Sequence, residues 1–169
     1  HAYVAGECVE VCASSNNFVR IGLSPNIDVE AAITLLSYET GGPDVEFGRL
    51  QYQGPGTHTL RYAPDVADFE ARVTTVEPGG CFELESFPVP SILLVLAGSG
   101  ETGVLAHGAR SPPRRHRYAL VPGTALYVTE GTLHLAVSVP SSNSGPLRLV
   151  RCCENLDGVL QTVAEETRT

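Results

Sequence analysis

A chain of 169 residues, 43% of them apolar and 18% charged, is long enough for one full domain, or one domain and part of another, and can bury a core. Its formal charge of −8 excludes general nucleic-acid binding, which needs a positive field to displace counterions, but leaves room for a single Arg in a local phosphate pocket. No run approaches the roughly 20 apolar residues of a membrane span, and five cysteines without repeated spacing argue against a disulfide framework. Reduced thiols, a cytoplasmic location, a monomer and no nucleic-acid or membrane partner are therefore expected. The chain opens on His1 rather than Met, which reads as a processed chain or a fragment.

Taken in chain order, residues 8–13 (CVEVCA) and 18–23 (FVRIGL) are β-rich runs around a polar turn and predict a hairpin. Asp28 can cap a helix in which Val29, Ala32, Ile33 and Leu36 recur at helical spacing, with Gly41, Gly42 and Pro43 ending it. Residues 44–64, rich in Gly, Pro, Tyr and Gln, read as a long connection containing a domain boundary. Strands then follow one another. Residues 69–76 alternate and lead through the turn 77–80 into 81–85. Residues 91–97 (SILLVLA) form an almost unbroken apolar run, suited to a strand buried on both faces. Residues 118–121, 125–129, 133–139 and 147–152 continue the series, and the tail after Glu154 is weakly helical. Short strands at this spacing, parted by Gly/Pro turns, indicate an all-β sandwich or jelly roll with one short helix.

Few residues carry chemistry on their own terms. His1 and Tyr3 point the same way in an extended segment, about 7 Å apart. They read either as a frayed terminus or as a zinc-ligating imidazole beside a sugar-binding hydroxyl. Glu10 and Arg20 lie on the two arms of the expected hairpin. A five-residue loop sets them opposite each other on one face; a four-residue loop separates them. They are either a cross-strand ion pair or a carboxylate and a guanidinium facing a polar pocket. Residues 108–117 (GARSPPRRHR) crowd four arginines and His116 around two prolines and read first as a solvated loop. His58, His107 and His134 have no second ligand at metal spacing, and His134 in its apolar strand reads as a core residue. No nucleophile elbow, zinc-protease, P-loop or dinucleotide motif is present.

The opening His1-Ala2-Tyr3-Val4, with Gly6-Glu7-Cys8-Val9-Glu10, resembles the pattern P-H-A-Y-L-x-G-D-C-V-E of the type I mannose-6-phosphate isomerases. Residues 15–25 (SNNFVRIGLSP) are similar to that family's S-D-N-x-V-R-A-G-L-T-P, and residues 28–38 to its D-V…L-x-x-M-L-x-Y. Residues 64–69, 91–94 and 151–153 resemble its C-terminal domain. The resemblance implies two cupin-like jelly rolls. Residues 1–62 would be the closing segment of the catalytic cupin, 63–153 a complete C-terminal jelly roll, and 154–169 a tail. It implies Zn2+ held by His1 and by ligands upstream, substrate contacts from Tyr3 and Asn26, and catalytic roles for Arg20 and Glu10. It further implies interconversion of mannose 6-phosphate and fructose 6-phosphate, supplying mannose for GDP-mannose and glycosylation, with this segment inactive by itself. One departure matters: the family's T-P-K stands as Ser24-Pro25-Asn26, so a lysine near the phosphate is replaced by Asn26. A non-catalytic cupin-like sugar-binding or regulatory module is the alternative.

Overall fold

The structure, a computed structural model, describes residues 4–14, 19–20, 25–35, 40–42, 45–104, 117–132 and 135–157. The chain divides into two compact units, His1–Val45 and Glu46–Thr169.

The smaller unit contains helix α1 (Val29–Leu35). The Ala32 N–H donates to the Asp28 carbonyl at 2.9 Å, which puts Asp28 at the N-cap position, and Glu30 in the first turn suits the positive end of the helix dipole. Of the periodic apolar positions among the described residues, Ala32 is buried, and Val29 and Ile33 are 59% and 61% exposed; Leu36 lies outside the described residues. The expected first hairpin is not found among the described residues. Residues 8–13 form no strand, and of 18–23 only Val19 and Arg20 are described. A two-stranded hairpin is marginal without a third strand or a helix packed on it, and residues 4–10 are all exposed.

In the larger unit, every strand pairing is antiparallel. A six-stranded sheet runs β1 (Arg49–Gly54), β2 (Thr57–Tyr62), β3 (Glu70–Val76), β10 (Leu147–Cys153), β5 (Ser91–Ala97), β8 (Ala125–Val128). A four-stranded sheet runs β4 (Cys81–Glu83), β9 (Leu135–Ser138), β6 (Gly100–Val104), β7 (Arg117–Leu120). Three sequence expectations need correction. The connection read over 44–64 contains the hairpin β1–β2, because Pro55-Gly56 is a tight turn rather than part of a loop: Pro presets one φ and Gly56 adopts φ +64°. Strand β6 was hidden by its two glycines. Strand β5 is not buried on both faces; Ile92 is exposed, because the sheet packs on the core with one side only.

The core lies between the sheets. Leu93, Val95, Val76, Leu147 and Leu149 from the larger sheet meet Leu120, Val137, Val139 and Leu84. Burying each such side chain contributes about 1.5–3 kcal/mol. At the other end the inner face of the larger sheet turns polar. Register places Arg61 opposite Arg72, Arg72 opposite Arg151 and Arg151 opposite Leu93, so three arginines stand side by side on β2, β3 and β10. Like charges directly opposite one another repel, and Glu70 supplies the compensation. Its side chain is 0% exposed; Oε2 accepts from Arg61 at 2.6 Å and from the Leu156 N–H at 3.0 Å, and Oε1 accepts from Arg72 Nε at 2.8 Å. Arg151 is held separately, donating to Ser91 Oγ and to the Glu85 carbonyl. Asn155 donates to the carbonyls of Pro64 and Val66.

Burial alone would push the Glu70 carboxyl up, but the Arg61 hydrogen bond, the Leu156 N–H and Arg72 outweigh it and leave the group below its ordinary 4.5. A carboxyl depressed on folding stabilises the fold above its unfolded pKa, and that stability is lost as pH falls through the lower, folded value. Glu70→Ala is expected to cost about 3–5 kcal/mol in denaturant unfolding, since it strands Arg61 and Arg72. Glu70→Gln is expected to flatten the decline of stability below about pH 4.5 relative to the parent chain.

Candidate functional site

The smaller unit builds an open hollow of about 450 Å³ lined by Arg20, Asn26, Ile27 and Asp28. A backbone contact frames it: the Asp28 N–H donates to the Arg20 carbonyl at 2.7 Å, at the start of α1. That contact brings a guanidinium and a primary amide, separated by six positions in sequence, to one concavity. Arg20 and Asn26 can together present several N–H donors to an oxyanion or to sugar oxygens. Glu10 is exposed and does not line the hollow. His1 and Tyr3 lie outside the described residues, as do His107, His134 and residues 108–116 of the arginine-rich loop. Arg117, at the end of that loop, pairs with Glu101 at 2.8 Å across β6 and β7. His58 is exposed on β2.

The described residues contain no group of three or more His, Cys, Asp and Glu side chains placed to hold a metal. A zinc site takes three or four such donors. Those residues do not build one.

A second concavity, also about 450 Å³, opens inside the larger unit between the two sheets. Arg72 and Arg151 enter it from the larger sheet, with Thr59 and Thr74 beside them; Phe82, Glu85 and Phe87 close the other side. Arg72 and Arg151 both lie against the Phe87 ring, their guanidinium carbons 4.4 Å and 3.6 Å from its centroid. Burial pushes the Arg151 guanidinium down to about 10, its interactions with Cys153 and Glu85 opposing and its neighbour Arg72 adding to the shift. Sequence reasoning singled out none of these residues. The signal was the parity of residues 70–76 (EARVTTV): Glu70, Arg72, Thr74 and Val76, not Ala71, Val73 and Thr75, share a face with Leu149 and Leu93.

The architecture defines the class: the larger unit is a cupin-type jelly roll. It is similar to the vicilin of hazelnut (Corylus avellana), with a TM-score of 0.50 and 15% identity over 65% of this chain and 32% of that one. By sequence the chain is similar to mannose-6-phosphate isomerases. It is 39% identical over 102 residues to mannose-6-phosphate isomerase 1 of Arabidopsis thaliana, covering 59% of this chain and 22% of that protein. It is 36% identical over 107 residues to the mannose-6-phosphate isomerase of Schizosaccharomyces pombe, covering 59% and 25%. The matched stretch thus spans a quarter or less of these relatives' length. No family model matches the chain.

All five cysteines are free thiols, with Cys8, Cys12 and Cys81 exposed. Burial pushes the Cys153 thiol up to about 12, with Glu70 adding to it and Arg72 and Arg151 opposing, and burial also raises Cys152. With a thiol reagent at pH 8, Cys8, Cys12 and Cys81 are expected to react first and Cys153 slower by about two orders of magnitude. Equal labelling rates, followed by mass spectrometry, would contradict the burial of Cys153.

Proposed function

We propose that this chain carries a substrate-closing segment of a mannose-6-phosphate isomerase, an enzyme that interconverts mannose 6-phosphate and fructose 6-phosphate. The observation that carries this reading is its sequence similarity to enzymes of that name. The hollow shared by Arg20 and Asn26 supports it.

The chemistry moves one proton between C2 and C1 of the open-chain sugar. A base must take that proton, and a donor must hold the oxygen that becomes negative in the enediolate. Arg20 suits the donor role, because a guanidinium meets an oxyanion or a phosphate through a planar fork. Asn26 adds a neutral donor where a lysine would add charge, so phosphate is held here by fewer positive charges. Glu10 is the carboxylate proposed for the proton, reaching the sugar by movement of its exposed segment. Tyr3 is proposed to hydrogen-bond a sugar hydroxyl. Zinc enters only through the imidazole of His1, one donor of the three or four that a site requires; bound, it would polarise the sugar carbonyl.

Two outcomes test this. Residues 1–169 alone are expected to show no isomerisation of mannose 6-phosphate in a coupled assay with added Zn2+. In the whole enzyme carrying this segment, Arg20→Ala is expected to lower kcat by about 10²–10³, the cost of one oxyanion donor, with unchanged thermal unfolding. An unchanged turnover would remove Arg20 from the site.

A further inference from the structure

We propose that the larger unit holds a second, separate binding site: the cavity between its sheets takes the oxyanion head, phosphate or carboxylate, of a small hydroxylated metabolite, with Arg72 and Arg151 as its anchors. The proposal goes beyond the isomerase reading and does not depend on it.

Charge comes first. Three guanidiniums stand in one row across β2, β3 and β10, and the fully buried carboxylate among them is that of Glu70 alone. Glu70 is committed to Arg61 and to Arg72 Nε. Three further carboxylates sit at the rim: Glu83 and Glu85 line the cavity mouth, Glu85 59% exposed and bound to Arg72, and Asp157, 64% exposed, serves Arg61. Inward of that rim, the guanidiniums of Arg72 and Arg151 line the cavity with Glu70 as the buried carboxylate beside them, where an anion gains more than in bulk water.

Directed donors come next. Arg72 uses Nε and Nη1 on Glu70 and Glu85, and Arg151 uses Nε and Nη1 on Ser91 and the Glu85 carbonyl. Among the described residues the second terminal nitrogen of each has no protein hydrogen-bond partner, and both side chains line the cavity. Contact with the single ring of Phe87 fixes the two guanidiniums. Two N–H-bearing nitrogens from separate arginines make a clamp for an oxyanion, and guanidinium geometry favours phosphate and carboxylate over halide.

The remaining wall fits a hydroxylated body. The Thr59 and Thr74 hydroxyls, 2.9 Å apart, share one hydrogen bond and leave one O–H free to donate. Gln51 and Tyr52 add an amide and a phenol, and about 450 Å³ lies in the range of small-molecule sites. Glu85 then acts as an internal competitor, its carboxylate occupying Arg72 Nη1 at 2.5 Å until an anion arrives.

That competition provides a test that need not disturb the buried row. Fructose 6-phosphate, inorganic phosphate and citrate, with uncharged fructose as control, are titrated calorimetrically into residues 1–169, into Glu85→Gln and into Arg20→Ala. Saturable binding of at least one anion is expected, with none for fructose. Glu85→Gln is expected to tighten it about tenfold or more, as the freed charge-assisted bond becomes available to the ligand, and Arg20→Ala is expected to leave it unchanged. Phosphate and citrate separate a phosphate head from a carboxylate one. No saturable binding to either the parent or Glu85→Gln, or anion binding that Arg20→Ala abolishes and Glu85→Gln leaves alone, would overturn the second site. The isomerase reading survives either result.

Discussion

A carboxylate with no exposed surface, Glu70, stands between two arginines that the sheet register forces side by side. Once Arg61, Arg72 and Arg151 occupy one row of the inner face, the polar end of this jelly roll needs that carboxylate. Without it, guanidiniums on neighbouring strands would face one another in a dry interior. Several features follow from the pairing. The Leu156 N–H is drawn in to the same oxygen as Arg61, and Asn155 ties the chain after β10 to the Pro64 and Val66 carbonyls. The apolar half of the core, from Leu149 to Leu147 and Val76, is filled by aliphatic side chains with Phe82 packed against them.

The arrangement separates two roles along one sheet. Toward Val76 and Leu147 the inner face supplies stability through apolar burial. Toward Arg72 and Arg151 it holds a charged surface over an open cavity, which stability alone does not require. Replacing a buried ion cluster with apolar residues of like volume is often neutral or favourable. The retention of two buried arginines beside empty space is therefore the feature that points to a ligand. The smaller unit works differently. Its hollow is lined by exposed side chains beside the backbone hydrogen bond from Asp28 to Arg20.

Much of the larger unit was legible in the sequence because each strand is short, bounded by Gly or Pro, and patterned. The expected strand 91–97 coincides with β5, and the expected strand 147–152 falls within β10, because β-branched and leucine-rich runs leave little choice. The hairpin at 49–62 was lost because Pro55-Gly56 and the surrounding Gln and Tyr residues imitate a connection, while period-two burial in β2 emerges only once β3 lies beside it. The strand at 8–13 was overread for the converse reason. Its alternation is genuine, but an alternating segment becomes a strand only with partners, and none lies beside it among the described residues. In the candidate site, Arg20 and Asn26 were singled out separately, Arg20 by motif similarity and Asn26 as a departure from it, and both line one hollow. The row of arginines was not legible, because alternation identifies two faces without saying which is inward. The usual assumption buries Ala71 and Val73, whereas Glu70, Arg72, Thr74 and Val76 are the buried set in β3.

The dependence of the polar end on one shared carboxylate is tested most directly by a double-mutant cycle. Denaturant unfolding of the parent chain, Glu70→Gln, Arg61→Gln and the double variant gives the coupling energy between the two side chains. Coupling of about 1.5 kcal/mol or more is expected, since either single change strands a charged partner. Additivity within about 0.3–0.5 kcal/mol would show that the two side chains do not depend on each other, and would contradict the account.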